Sequence, residues 1–194
     1  MSRRGSNAIN ILHAINTRRL SATVPIVICN NPHSSGINVI RDRGIPTQII
    51  VPTSYDSVQA YERDIRTLLT QHGVDVVILA GYMKRVESEL LEAFNNRILN
   101  IHPSLLPSFK GLHAQRQALD YGVKFSGCTV HMVNEAIDSG RIVSQAVVPV
   151  ASDDTVETLS ARILKEEHRI YPEAIQDILT NLTASSPNES GILE

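Results

Sequence analysis

Two hydrophobic periods alternate along the chain. Short β-branched runs stand at 24–31 (VPIVICNN), 47–52 (TQIIVP), 75–81 (DVVILAG) and 97–102 (RILNIH). Their length and composition predict buried strands. Between them, Val58, Tyr61, Ile65, Leu68 and Leu69 recur at helical spacing and stop at Gly73, which predicts an amphipathic helix with those five residues on one face. Strands alternating with helices imply βαβ units and a parallel sheet covered on both faces. Further on the texture changes. CTVHMV (128–133) and RIVSQAVVPV (141–150) flank a polar loop holding Asp138, Ser139 and Gly140. That pair reads as antiparallel, so the sheet is expected to be mixed. A long helix is predicted from Asp154 or Thr155 to about Leu182, and the small, polar tail at 184–194 is expected to fray. The whole reads as one α/β domain over residues 1–183.

Composition narrows the classes. The chain has 194 residues, 42% of them hydrophobic, too apolar for a disordered protein. Eighteen basic against 20 acidic side chains leave a net charge of −2, which argues against a nucleic-acid or anionic-membrane partner. No apolar run approaches the roughly 20 residues that span a bilayer, and no signal-peptide pattern follows MSRRGSN. Cys29 and Cys128 lie far apart in apolar runs and read as buried free thiols. The expectation is a cytoplasmic protein acting on small molecules.

One segment conflicts with this pattern. Gly5-Ser6-Asn7 followed by AINILHAI resembles the start of a phosphate-binding helix. Such a start ordinarily caps a buried strand just upstream, yet only Met1 to Arg4 precede it. The fold is expected to lack its first strand, with the true translation start upstream. Arg3 and Arg4 read as a solvated terminus.

The most informative stretch is NIHPSLLPSFKG, 100–111. Along a strand the side-chain period is two, so Asn100 and His102 share a face. Pro103 cannot donate to a central ladder and ends the strand there. An amide and an imidazole thus meet at the carboxyl end of a strand, the edge where open α/β sheets bind ligands. Together they suit an oxyanion; the plain alternative is a turn asparagine and a core histidine. Asp138 is either an ordinary loop aspartate or the carboxylate that pairs with His102. Glu167 falls on the buried stripe of Val156, Leu159, Ile163, Ile170 and Ala174, where a carboxylate requires a partner or a cavity; Pro172 bears on the phase of that stripe. Ser104 reads as a turn residue, His131 as core packing, and Asp153 with Asp154 as helix-start charges. His13, His33, His72 and His168 show no metal-ligand spacing, so no metal is expected.

GSN at the first helix, LAGYMKRV (79–86), NIHPSLLPSFKGLHAQRQAL (100–119), His131, Asp138 to Gly140 and EEHRIYP (166–172) occur in this order. Over residues 3–182 the chain resembles the glycinamide ribonucleotide formyltransferase family. The resemblance implies a Rossmann-like formyltransferase fold. It also implies direct, metal-free transfer of a formyl group from 10-formyltetrahydrofolate to the ribonucleotide amine in purine synthesis. Asn100, His102 and Asp138 match the family's catalytic trio. Gly5, Ser6, Asn7, Ala8 and Ile9 match the segment that holds the ribonucleotide phosphate, and Glu167 matches a ribonucleotide-binding residue. Met83, Lys84, Arg85 and Val86, with Asn100 and Asp138, match the folate pocket. Val58 stands where some members carry an arginine near the folate. A monomer or homodimer is implied. Competing expectations are a formyltetrahydrofolate deformylase, a methionyl-tRNA formyltransferase, which the charge and short tail disfavour, and an inactive folate- or nucleotide-binding homologue.

Overall fold

The β-branched runs form strands where predicted, but shorter at the amino-terminal side. In the computed structural model, which describes residues 5–185, β1 is Val27–Cys29, β2 is Thr47–Ile49 and β3 is Val77–Leu79. Pro25 and Pro52 bound the first two strands: neither has an N–H to donate to a ladder, and Pro52 opens a short 3₁₀ turn, Pro52–Ser54. The later strands, β4 (Ile98–His102), β5 (Phe125–Met132) and β6 (Ile142–Pro149), are longer. The helices are α1 (Ser6–Asn16), α2 (Ser35–Arg41), α3 (Val58–Gln71), α4 (Ser88–Ala93), α5 (Ala114–Tyr121) and α6 (Val156–Ser185).

The sheet is mixed, as expected, and divides in two. β1 and β2 form a parallel pair, while β3-β4-β5-β6 form a second sheet. β3 and β4 run parallel; β5 is antiparallel to both β4 and β6. The segment expected to precede Gly5 lies outside the described residues, as does most of the tail. Helix α6 ends at Ser185, three residues past the predicted Leu182.

Packing follows the predicted stripes. Ile11 and Ala14 of α1, Leu99 and Ile101 of β4, and Leu159, Ile163, Ile170 and Tyr171 of α6 share one core cluster. On the opposite face Tyr61, Ile65 and Leu69 of α3 pack with Leu90 and Phe94 of α4 and with Ile98. Val58 departs from its predicted place: as the first residue of α3 it lies outside the packed turns and is 50% exposed. The Ser57 hydroxyl caps this helix by accepting from the Ala60 N–H. Pro172 does not disturb the stripe of α6, since Tyr171, Ala174, Ile175 and Ile178 beyond it remain buried. The Tyr171 hydroxyl donates to the carbonyls of Leu79 and Leu99, at 2.9 and 3.1 Å, and so ties α6 to β3 and β4. Both cysteines are buried free thiols. No helix among the described residues is long and apolar enough to cross a membrane.

Candidate active site

Strand β4 delivers Asn100 and His102 to its carboxyl end. Asn100 lies opposite His131, and His102 opposite Thr129, in the antiparallel ladder with β5. Cross-strand neighbours of this kind have Cβ atoms about 4.5–5.5 Å apart, which explains why the Asn100 amide nitrogen lies 3.3 Å from His131 Nε2. His131 Nδ1 lies 2.9 Å from the Met132 carbonyl. A proton on Nδ1 donates to that oxygen, and Nε2 faces both the Asn100 amide and the Asp138 carboxylate.

Asp138 closes the arrangement from the loop between β5 and β6. Its carboxylate lies 3.3 Å from His102 Nδ1 and 3.6 Å from His131 Nε2, and it accepts a 2.8 Å hydrogen bond from the Gly111 N–H. Two backbone features bring it there. Asp138 adopts φ 47°, a left-handed conformation that aspartate tolerates better than most residues. Gly140 lies so close to Met132 that an added Cβ would come within 1.8 Å of the Met132 carbonyl oxygen; only glycine allows the loop to fold down that far. Burial pushes the Asp138 carboxyl up, but His131, the Gly111 N–H and the charge of His102 outweigh it and hold the group below the usual carboxylate range.

His102 is buried, and its second ring nitrogen lies 2.9 Å from the Phe109 carbonyl. With acceptors at both nitrogens, the ring donates to both only when doubly protonated. The segment after Pro103 holds its shape through local polar contacts. Ser104 donates to the Ser108 carbonyl, as a turn serine does. Thr129 donates to the Ser104 carbonyl and accepts from the Leu106 N–H.

A second cluster joins the two ends of the chain. Gly5, with φ 65°, precedes α1, and no side chain caps that helix, whose first-turn N–H groups have no intrahelical partners. From this turn the Asn7 amide donates to Glu167 at 2.8 Å, and one turn later Asn10 donates to the His168 carbonyl at 2.7 Å. Glu167 is 8% exposed. Burial raises its carboxyl above the usual range, and the Asn7 hydrogen bond offsets only part of that rise. The Asn7 side-chain Oδ1 and His168 Nε2 are buried with no protein partner among the described residues.

The fold thus brings Asn100, His102 and Asp138 together, and Asn7 with Glu167. Ala8 and Ile9 extend the first turn of α1, where Ile9 donates to the Gly5 carbonyl. Met83, Lys84 and Arg85 are exposed in the loop after β3, four or more residues past its last residue, Leu79. Val86 points instead into the core. His131 is the residue that sequence reasoning set aside as packing. Its signal was a polar side chain on a buried strand directly across from the site. Among the described residues no group of His, Cys, Asp or Glu side chains is placed to hold a metal ion.

Comparison with known proteins resolves the family. The formyl transferase family model matches residues 1–175. The chain belongs to the formyl transferase family. It is 38% identical over 175 residues to phosphoribosylglycinamide formyltransferase of Escherichia coli (strain K12), covering 90% of this chain and 82% of that protein. It is 41% identical over 172 residues to the trifunctional purine biosynthetic protein adenosine-3 of Homo sapiens, covering 89% of this chain. The chain spans only 17% of the length of that relative. Among formyl transferase structures, glycinamide ribonucleotide transformylase 1 from Symbiobacterium toebii superposes with a TM-score of 0.87 at 49% identity, covering 89% of this chain and 81% of that one.

Proposed function

We propose that this chain transfers a formyl group from 10-formyltetrahydrofolate to the amine of glycinamide ribonucleotide. The observation that carries the reading is the 3.3 Å contact between His102 and Asp138, beside Asn100 at the carboxyl end of β4. Formyl transfer between two nitrogens passes through a tetrahedral oxyanion, and this trio supplies donors for it next to a fixed negative charge.

The neutral substrate amine attacks the formyl carbon and forms a new C–N bond. Asn100 and the His102 ring lie beside the charge that collects on oxygen, and His102 Nε2 exchanges its Phe109 acceptor for that oxygen when it donates to it. Asp138 orients the ring through Nδ1. The tetrahedral species then collapses: the bond from carbon to folate nitrogen breaks, and the proton released by the attacking amine is delivered to that nitrogen. Neither a metal nor a covalent enzyme intermediate takes part. His131 holds the Asn100 amide in place and acts as a positioning residue.

The ribonucleotide end is assigned to α1 and α6. The first-turn N–H groups from Ser6 onward favour the phosphate, with Gly5 giving the tight entry. Glu167 and the unpartnered Asn7 Oδ1 face the amine-bearing portion. The loop of Met83 to Val86 and the segment around Asp138 to Gly140 form the folate side, with Met83 73% exposed and available to a pterin.

The test is a product assay on the purified chain with both substrates. Formylated ribonucleotide formed in step with tetrahydrofolate supports the assignment. Formate released at the same rate with or without the ribonucleotide would instead make the chain a hydrolase.

A further inference from the structure

Away from the catalytic trio and the Asn7–Glu167 cluster, one further carboxylate is fully enclosed. Glu62, in the second turn of α3, has no exposed surface, although glutamate is almost never fully buried without a partner. Its Oε1 accepts a 2.7 Å hydrogen bond from the Glu87 N–H. Glu87 is the residue that opens α4, and its own side chain makes no capping bond. Glu62 thus does from a neighbouring helix what a capping side chain ordinarily does from its own. Burial pushes the Glu62 carboxyl up, and the Glu87 N–H opposes that only in part.

A six-residue helix such as α4 does not hold itself together in water, so its place is set from outside. Two other contacts reach it from α3: Arg63 and Arg66 bind the Glu89 carboxylate at 2.9 and 2.6 Å. Their side chains are 59% and 40% exposed, and ion pairs open to water stabilise little. A hydrogen bond to an enclosed carboxylate is the stronger tie. Just ahead of Glu87, Val86 is buried in the same cluster as Tyr61, Ile65 and Leu90. Met83, Lys84 and Arg85 are therefore strung between the end of β3 and an anchor formed by Val86 and Glu87. We infer that Glu62 is a positioning residue for the co-substrate: by capping α4 from α3 it fixes the carboxyl end of the Met83–Val86 loop and so shapes the folate side, given the folate role proposed for that loop.

Two substitutions test this. Glu62→Met removes the acceptor at nearly constant length, and Glu62→Gln keeps one. Glu62→Met should weaken 10-formyltetrahydrofolate about tenfold or more, read as Kd by equilibrium titration and as KM, the loss expected of one hydrogen bond to a charged group. The ribonucleotide KM and kcat should stay within about twofold of wild type. Glu62→Gln should return the folate constants to near wild type. Amide hydrogen exchange follows the loop without catalysis: in Glu62→Met, exchange from Met83 to Glu87 should quicken about tenfold or more, with β4 unchanged. In the wild type the Glu87 amide should exchange about tenfold more slowly than those of Ser88 and Glu89, whose N–H groups have no acceptor within α4; this comparison decides the matter if Glu62→Met does not fold. Equal rates at those three amides, unchanged exchange in Glu62→Met, constants for both substrates rising together, or no rescue by Glu62→Gln would overturn the role of Glu62. Quickened exchange with an unchanged folate Kd would overturn it in another way, by removing the loop from the folate side. Absence of formyl transfer in the wild type would strike the proposed activity alone, since Kd and exchange are read without it.

Discussion

The Asn7 amide donates a 2.8 Å hydrogen bond to the Glu167 carboxylate across 160 positions of chain. The contact has a consequence for pH. Burial raises the Glu167 carboxyl above its ordinary 4.5, and Asn7 lowers it only in part. Between the ordinary value and the raised one, the folded chain holds a proton that the unfolded chain has released. Stability from this group therefore falls as pH rises through that window. Glu167→Gln should remove this component: the difference in urea midpoint between wild type and variant should shift in the variant's favour as pH increases from about 4.5. A difference independent of pH would show that Glu167 titrates normally.

At the catalytic end, Asn100→Ala should lower turnover about 10²–10³-fold, the usual loss for one oxyanion donor. The ribonucleotide KM should change little, since the phosphate site proposed at the start of α1 does not include Asn100. Steady-state kinetics separate the two effects. A raised KM with unchanged turnover would reassign Asn100 to ground-state binding.

Asp138→Asn keeps the shape of the side chain but removes its charge. Turnover should fall, because the His102 ring loses the carboxylate that orients it at 3.3 Å; steady-state kinetics check it. Unchanged turnover would mean that Asp138 only shapes the loop. In the wild type, Asp138 is held below the usual carboxylate range, so its contribution to stability persists above its ordinary 3.8 and disappears only as pH falls through the lower folded value.

Gly140→Ala tests how the loop is seated. The new Cβ would meet the Met132 carbonyl at 1.8 Å, so the backbone must move, at about 1–3 kcal/mol for a crowded site. The expected result is a folded protein whose activity falls toward that of Asp138→Asn, read by circular dichroism together with turnover. Full activity would place the Asp138 contact outside the function.

Burial, and then the charges of Glu167 and Glu166, push the Cys128 thiol from 9.0 up to about 12. Thiolate is the reactive form. Cys128 should therefore stay unlabelled by a thiol reagent at neutral pH in the folded protein and react at once in urea; mass spectrometry reads both states. Rapid labelling in the native state would show that the strand opens.

Much of this was legible because the physics was local. Asn100 and His102 were placed on one face by strand period alone, and Glu167 stood out as a charge on an apolar stripe. His131 is buried as expected, but its approach to Asn100 depends on which residue lies opposite, and register between β4 and β5 is a long-range property. The contact of Asp138 with His102 likewise rests on a loop conformation and a close glycine approach that periodicity does not encode. Strands β1 and β2 are shorter than their apolar runs, with Pro25 ahead of the first and Pro52 beyond the second. Val58 matched the helical spacing but sits on the opening turn, where nothing packs above it.

Greasy contacts carry no address: a long helix resting on aliphatic neighbours can shift by a turn at little cost. Tyr171 supplies the address. One helical turn beyond Glu167, its hydroxyl is aimed at two carbonyls, one next to Asn100 along β4. Glu167 and Asn100 are thereby kept at a constant separation. A molecule long enough to reach both meets them at the same moment.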